Sequence, residues 1–206
     1  MTIKAKILPV LEIGFVFTVL AVITILFSRV KLPIPIVYPA MLSYLIFVLI
    51  WNLKVMKRKP HEIGLTMAGW KRNLPVGLAC GLAFVFSFGL IFGWDTPPKA
   101  ESSLAFLRGV LLTLPLVAIS EEVVFRGYLI SILSKEYGKA AGVIGSSVLF
   151  GLAHVFPVPS LASWFWTMLI GLILGILFVK TKGIVAPAAF HYINDAVLTL
   201  YSYLLL

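Results

Sequence analysis

A chain of 206 residues that is 61% hydrophobic and only 12% charged is too apolar for a soluble domain, where about half the residues are apolar and a quarter charged. Its net charge of +9 does not indicate nucleic acid, because most Lys and Arg residues fall in short loops between apolar runs, as in positive-inside membrane topology. The lone Cys80 excludes a disulfide framework and a cysteine metal site.

These bounds describe one integral membrane domain over 1–206, an all-α polytopic bundle of about seven spans in a lipid bilayer. Lys4 and Lys6 precede an apolar run from Leu8 to Ser28. That run has spanning length and lacks a small-residue cleavage pattern, so it reads as a retained first helix. Glu12 lies in its first turns, where a long side chain can snorkel to the interface. Pro33, Pro35 and Pro39 punctuate the approach to a second span, roughly Ile36 to Leu53. The most basic segment follows, with Lys54, Lys57, Arg58, Lys59, Lys71 and Arg72 around an interfacial stretch holding His61. The third span runs from about Leu74 to Phe92, and Trp94-Asp95-Thr96-Pro97-Pro98 is a turn-rich loop.

The fourth helix runs from near Ser103 to about Leu133, through Pro115. Its length requires tilt, a kink at Pro115, or projection beyond the bilayer. The fifth, Lys139 to Phe156, carries small residues suited to close helix approach and ends at Pro157 and Pro159. Trp164, Phe165 and Trp166 read as an interfacial aromatic belt opening the sixth span, which ends near Val179. The last helix starts near Pro187. With the N-terminus cytoplasmic, twelve basic residues fall in the inner segments and three (Arg29, Lys31, Lys99) in the outer loops.

Against this apolar background, Ser120-Glu121-Glu122-Val123-Val124-Phe125-Arg126 stands out. Ionisable groups at bilayer depth cost about 2.5–3.5 kcal/mol each on insertion scales, so such a cluster is a functional site by default. Glu122 and Arg126 are four apart with the acid first, the favourable order for a same-face pair. Glu121 is rotated by about 100° and faces elsewhere. Two of three histidines also lie in apolar helices: His154, in Phe150-Gly151-Leu152-Ala153-His154, and His191, in His191-Tyr192-Ile193-Asn194-Asp195. His191, Asn194 and Asp195 share one helical face. At 1.5 Å per residue from the inner helix ends, Glu121, His154 and His191 lie about 18, 22 and 12 Å deep, compatible with one polar layer.

Glu and His beside a water suit general-base activation of that water, and a second His with Asn or Asp can stabilise an oxyanion. No serine or cysteine stands in a nucleophile setting; Ser120 and Ser147 read as packing residues. The same carboxylates and histidines form a plausible divalent-metal set, without a His-Glu-x-x-His helix to make it specific. A buried polar network that only ties helices together is the third possibility.

At these residues the sequence resembles the CAAX protease and bacteriocin-processing family, glutamic-type intramembrane proteases that include the Ras-converting CAAX endoprotease. The family pattern is Glu-Glu-x-x-x-Arg, Phe-x-x-x-His and His-x-x-x-Asn/Asp. Here it is met by Glu121-Glu122 with Arg126, Phe150 with His154, and His191 with Asp195. The resemblance covers about residues 104–200, which would form the catalytic core. It implies that Glu121 and His154 activate the water, that Glu122 and Arg126 support the site, and that His191 and Asp195 stabilise the oxyanion. It also implies no cofactor and no metal. CAAX-processing members resemble Asn at the last position. An ionised Asp195 cannot donate a hydrogen bond, so it must be protonated, orient His191, or leave the donor role to Asn194. The implied partner is a membrane-embedded or membrane-associated peptide or protein substrate, cleaved at or near a terminus. The compact chain favours a multi-pass protein of a prokaryotic-type cell membrane. A non-proteolytic immunity or scaffold protein of the same family is the alternative.

Overall fold

The computed structural model describes residues 3–29, 37–92, 102–155 and 161–205. Among them there is no strand. Seven long helices follow one another: α1 Ile3–Ser28, α2 Val37–Ile50 continued by a wide π-type turn Trp51–Val55, α3 Trp70–Phe92, α4 Ser103–Tyr137, α5 Lys139–Val155, α6 Leu161–Thr181 and α7 Val185–Leu205. Five of them (α1, α2, α3, α4 and α6) are long and apolar enough to cross a membrane by themselves. The two that fall short carry the histidines. α5 has only 17 residues, and α7 interrupts its apolar run with His191, Asn194 and Asp195. The loops expected around Pro33 and Pro35, at Trp94 to Pro98 and at Pro157 to Pro159 lie outside the described residues.

α4 is the axis of the bundle. Every residue from Glu122 to Ile130 is buried. Its Val123, Val124, Phe125, Tyr128 and Leu129 pack with Val16 and Leu20 of α1, Val48 of α2 and Phe150 of α5. The Ser102 hydroxyl caps its start by accepting the Ala105 N–H at 3.2 Å. The helix accommodates Pro115 without a break, because a π-type turn over Gly109–Thr113 places the proline at the start of a fresh α segment. There its missing N–H costs least. A second π-type stretch, Val123–Ile130, begins directly after the two glutamates.

Close approaches set the remaining packing. α3 lies along α7 and α5 along α6, the two most extensive helix pairs. A side chain at Gly81 would meet the Phe190 carbonyl at 2.8 Å, and one at Gly77 would meet the Ala189 methyl at 2.8 Å. Only glycine allows this α3–α7 distance. The link from α2 to α3 folds onto α4: a single turn over Pro60–Ile63 buries Ile63, whose carbonyl would lie 2.8 Å from a Cβ at Gly127. Gly64, at φ +67°, then turns the chain, and its carbonyl accepts the Ile184 N–H at the start of α7.

One sequence expectation changes. Glu12 does not reach toward water: it accepts both guanidinium nitrogens of Arg58 at 2.8 Å and the Trp51 indole N–H at 2.9 Å. Arg58 also donates to buried Asn52. A partner 46 residues away leaves no local signal. The aromatic run that opens α6 also makes contacts between helices. Trp166 stacks on Phe84 and Phe88 of α3, and Trp164 packs against Gly151 of α5; Phe165 is the most exposed of the three.

Candidate active site

α4, α5 and α7 bring Glu121, Glu122, Arg126, Phe150, His154, His191, Asn194 and Asp195 into one cluster. The 100° rotation between adjacent helical residues divides the two glutamates. Glu122 is fully buried and takes Arg126 Nη1 at 3.1 Å. Arg126 Nη2 points to the Gly171 carbonyl of α6 at 3.4 Å. The guanidinium lies over the Phe150 ring, 4.3 Å from its centroid, so its charge is matched by a carboxylate, a carbonyl and an aromatic face.

Glu122 has a second partner that helical spacing could not reveal. His191 Nδ1 lies 3.0 Å from the same Oε1 that receives Arg126. The carboxylate accepts, so Nδ1 carries the hydrogen, and Nε2 turns the other way. It faces Glu121 Oε2 at 3.9 Å and Asp195 Oδ2 at 3.5 Å. The buried pair is therefore also the orienting group of a histidine at the open side.

His154 is fixed by similar logic. Its Nδ1 donates to the Phe150 carbonyl one turn back at 2.8 Å, which leaves Nε2 as an acceptor in the neutral ring. Nε2 faces Glu121 Oε2 at 3.7 Å. That oxygen is buried and has no hydrogen-bond partner. Two imidazoles thus converge on one carboxylate oxygen at distances too long for direct hydrogen bonds and short enough for one bridging molecule. The cluster opens toward His154 and Asp195, whose side chains are 35% and 30% exposed, while Glu122 and Arg126 are at 0%.

Asn194 is buried, and its Nδ2 donates to Asp195 Oδ1 at 3.1 Å. The serines are structural: Ser147 donates to the Val143 carbonyl and Ser146 to the Phe125 carbonyl. Among the described residues, no three of His, Cys, Asp and Glu are arranged to hold a metal ion.

Residues 103–197, the segment that contains every group of this cluster, match the family described as type II CAAX prenyl endopeptidase Rce1-like. No curated protein and no solved structure matches the chain.

Proposed function

We propose that this chain, whose residues 103–197 match the family described as type II CAAX prenyl endopeptidase Rce1-like, is a member of that family and an intramembrane glutamic endopeptidase. That match and the five apolar helices support a protease that is a multi-pass membrane protein; the mechanism and substrate are our reading. It rests on one contact: the unpartnered Glu121 Oε2 between His154 Nε2 at 3.7 Å and His191 Nε2 at 3.9 Å.

A water hydrogen-bonded to Glu121 and His154 gives up a proton to that pair as its oxygen adds to the scissile carbonyl carbon. His191, in its imidazolium form, donates from Nε2 to the resulting oxyanion, with Glu122 and Asp195 as counter-charges. Collapse of the tetrahedral intermediate breaks the C–N bond, and the amine leaves with the proton held by the Glu121–His154 pair. Burial of Glu122 and Arg126 holds His191 in place. The 3.5 Å separation from His191 Nε2 supports an orienting role for Asp195, and Asn194 spends a donor on Asp195. The step needs no metal.

The substrate is a peptide or protein terminus at the membrane, cleaved within or near the bilayer, with the N-terminus of the enzyme on the cytoplasmic side. The protein purified in detergent should cleave a membrane-anchored peptide and keep full activity after exhaustive chelation. Loss of activity on chelation, restored by a divalent ion, would replace this mechanism with a metal-dependent one. If Glu121→Gln and His154→Ala both keep the cellular phenotype, the immunity or scaffold reading stands instead.

A further inference from the structure

We propose that a cleft at the basic end of the bundle, away from the catalytic cluster, binds the headgroup of an aminophospholipid, a zwitterion carrying a phosphate and a primary ammonium. The cleft has a volume of about 320 Å³ and lies between the start of α1, the α2–α3 link and the last turns of α4. Its two deeper charges, Glu12 and Arg58, satisfy each other through paired 2.8 Å hydrogen bonds. Among the described residues, three further charges line it: Glu62, Lys135 and Glu136. Among the described residues, none of these three makes an ion pair. Glu62 accepts the Lys59 backbone N–H at 2.5 Å, which holds its carboxyl below the usual range. It is therefore ionised at neutral pH.

One cation and two carboxylates complement a headgroup that brings both signs. Lys135 meets the phosphate, and the carboxylates receive ammonium N–H donors as charge-assisted hydrogen bonds. A choline headgroup has no N–H to donate, and a net anionic headgroup is repelled by the two carboxylates. The rest of the lining, Ser131 apart, is apolar and includes Leu8, Met56 and Ile132. From there the exposed face of α1 continues through Leu11 and Phe15, spaced three and four residues on, which is one helical stripe. A lipid seated in the cleft can lay its acyl chain along that stripe.

The test is native mass spectrometry of the full-length protein in detergent, mixed with equal amounts of phosphatidylethanolamine, phosphatidylcholine and phosphatidylglycerol of identical chains. Phosphatidylethanolamine should be retained over both others by about tenfold, the scale of one charge-assisted hydrogen bond. The pair Glu62→Gln with Glu136→Gln should erase that preference. A glutamine at position 62 keeps the acceptor for the Lys59 N–H, and an unchanged melting temperature would show the fold intact. Lys135→Met should weaken retention of all three lipids. Equal retention of the three by wild type, or a preference that survives the double glutamine variant, overturns the proposal. Retention by Glu121→Gln should equal that of wild type, which keeps this test separate from that of the protease mechanism.

Discussion

Glu121 and Glu122 are neighbours in sequence and opposites in surroundings. Glu122 is fully buried, its Oε1 bonded to Arg126 and His191 and its Oε2 without a partner, whereas the unpartnered Oε2 of Glu121 faces two imidazole nitrogens at 3.7 and 3.9 Å. One holds the site together, and the other has a free lone pair aimed at its open side. Substitutions at the two positions should therefore fail in different ways.

Removing the Glu122 carboxylate leaves Arg126 buried without its counter-charge. Breaking a buried pair from one side costs about 3–5 kcal/mol. Glu122→Ala should lower the thermal midpoint in detergent sharply and reduce the yield of monodisperse protein. A midpoint equal to that of wild type would mean that the Gly171 carbonyl and the Phe150 face are enough for the guanidinium.

His191→Ala should act on turnover. Loss of one oxyanion donor lowers kcat by about 10²–10³-fold with little change in KM. Steady-state cleavage assays separate the two constants. A variant with raised KM and normal kcat would make His191 a substrate-binding group instead.

Asp195→Asn retains a polar group beside His191 Nε2 and removes a negative charge. Cleavage should persist, with an altered pH profile of kcat, because one of the carboxylates facing His191 is gone. Asp195→Leu should be the more damaging change. Identical pH profiles for Asp195→Asn and wild type would show that Asp195 does not act through His191.

Gly81→Val places a branched side chain where the Phe190 carbonyl lies 2.8 Å from the first added carbon. Phe190 precedes His191, so separating α3 from α7 moves the proposed oxyanion donor without touching it. Overpacking of this kind costs about 1–3 kcal/mol. Both melting temperature and kcat should fall, while Gly109→Ala, where an added Cβ meets nothing within 4 Å, should leave both unchanged.

Glu12 and Arg58 form a tether between α1 and the α2–α3 link. Single alanine variants should each lower stability while cleavage continues in the folded fraction. The double variant should be less destabilised than the sum, with a coupling of about 0.5–3 kcal/mol. Strict additivity in the thermal midpoints would remove the tether.

Most of the helix layout was legible because membrane helices are specified by apolar length. The expected fourth helix began at Ser103, as observed, and the fifth at Lys139, as observed. The different surroundings of Glu121 and Glu122 were also legible, since they follow from 100° per residue along one helix. Beyond the approach of Glu121 to His154, the contacts between helices stayed hidden. The His191–Glu122 bond joins residues 69 apart, and Glu12–Arg58 joins residues 46 apart. No periodicity within either helix encodes them. Pro115 signalled an irregularity, yet the backbone took it up in a π-type turn just before it, a response that depends on neighbouring helices.

The central claim is that the Glu121 carboxylate activates water. The direct measurement is the single-turnover cleavage rate of a membrane-anchored peptide by purified wild type and Glu121→Gln, under exhaustive chelation and with folding checked by thermal melt. Glutamine keeps the size and polarity of the side chain and removes the base. The account predicts a well-folded variant whose rate falls by about 10²–10⁴-fold, the range of general-base catalysis. Cleavage by Glu121→Gln at the wild-type rate would contradict it.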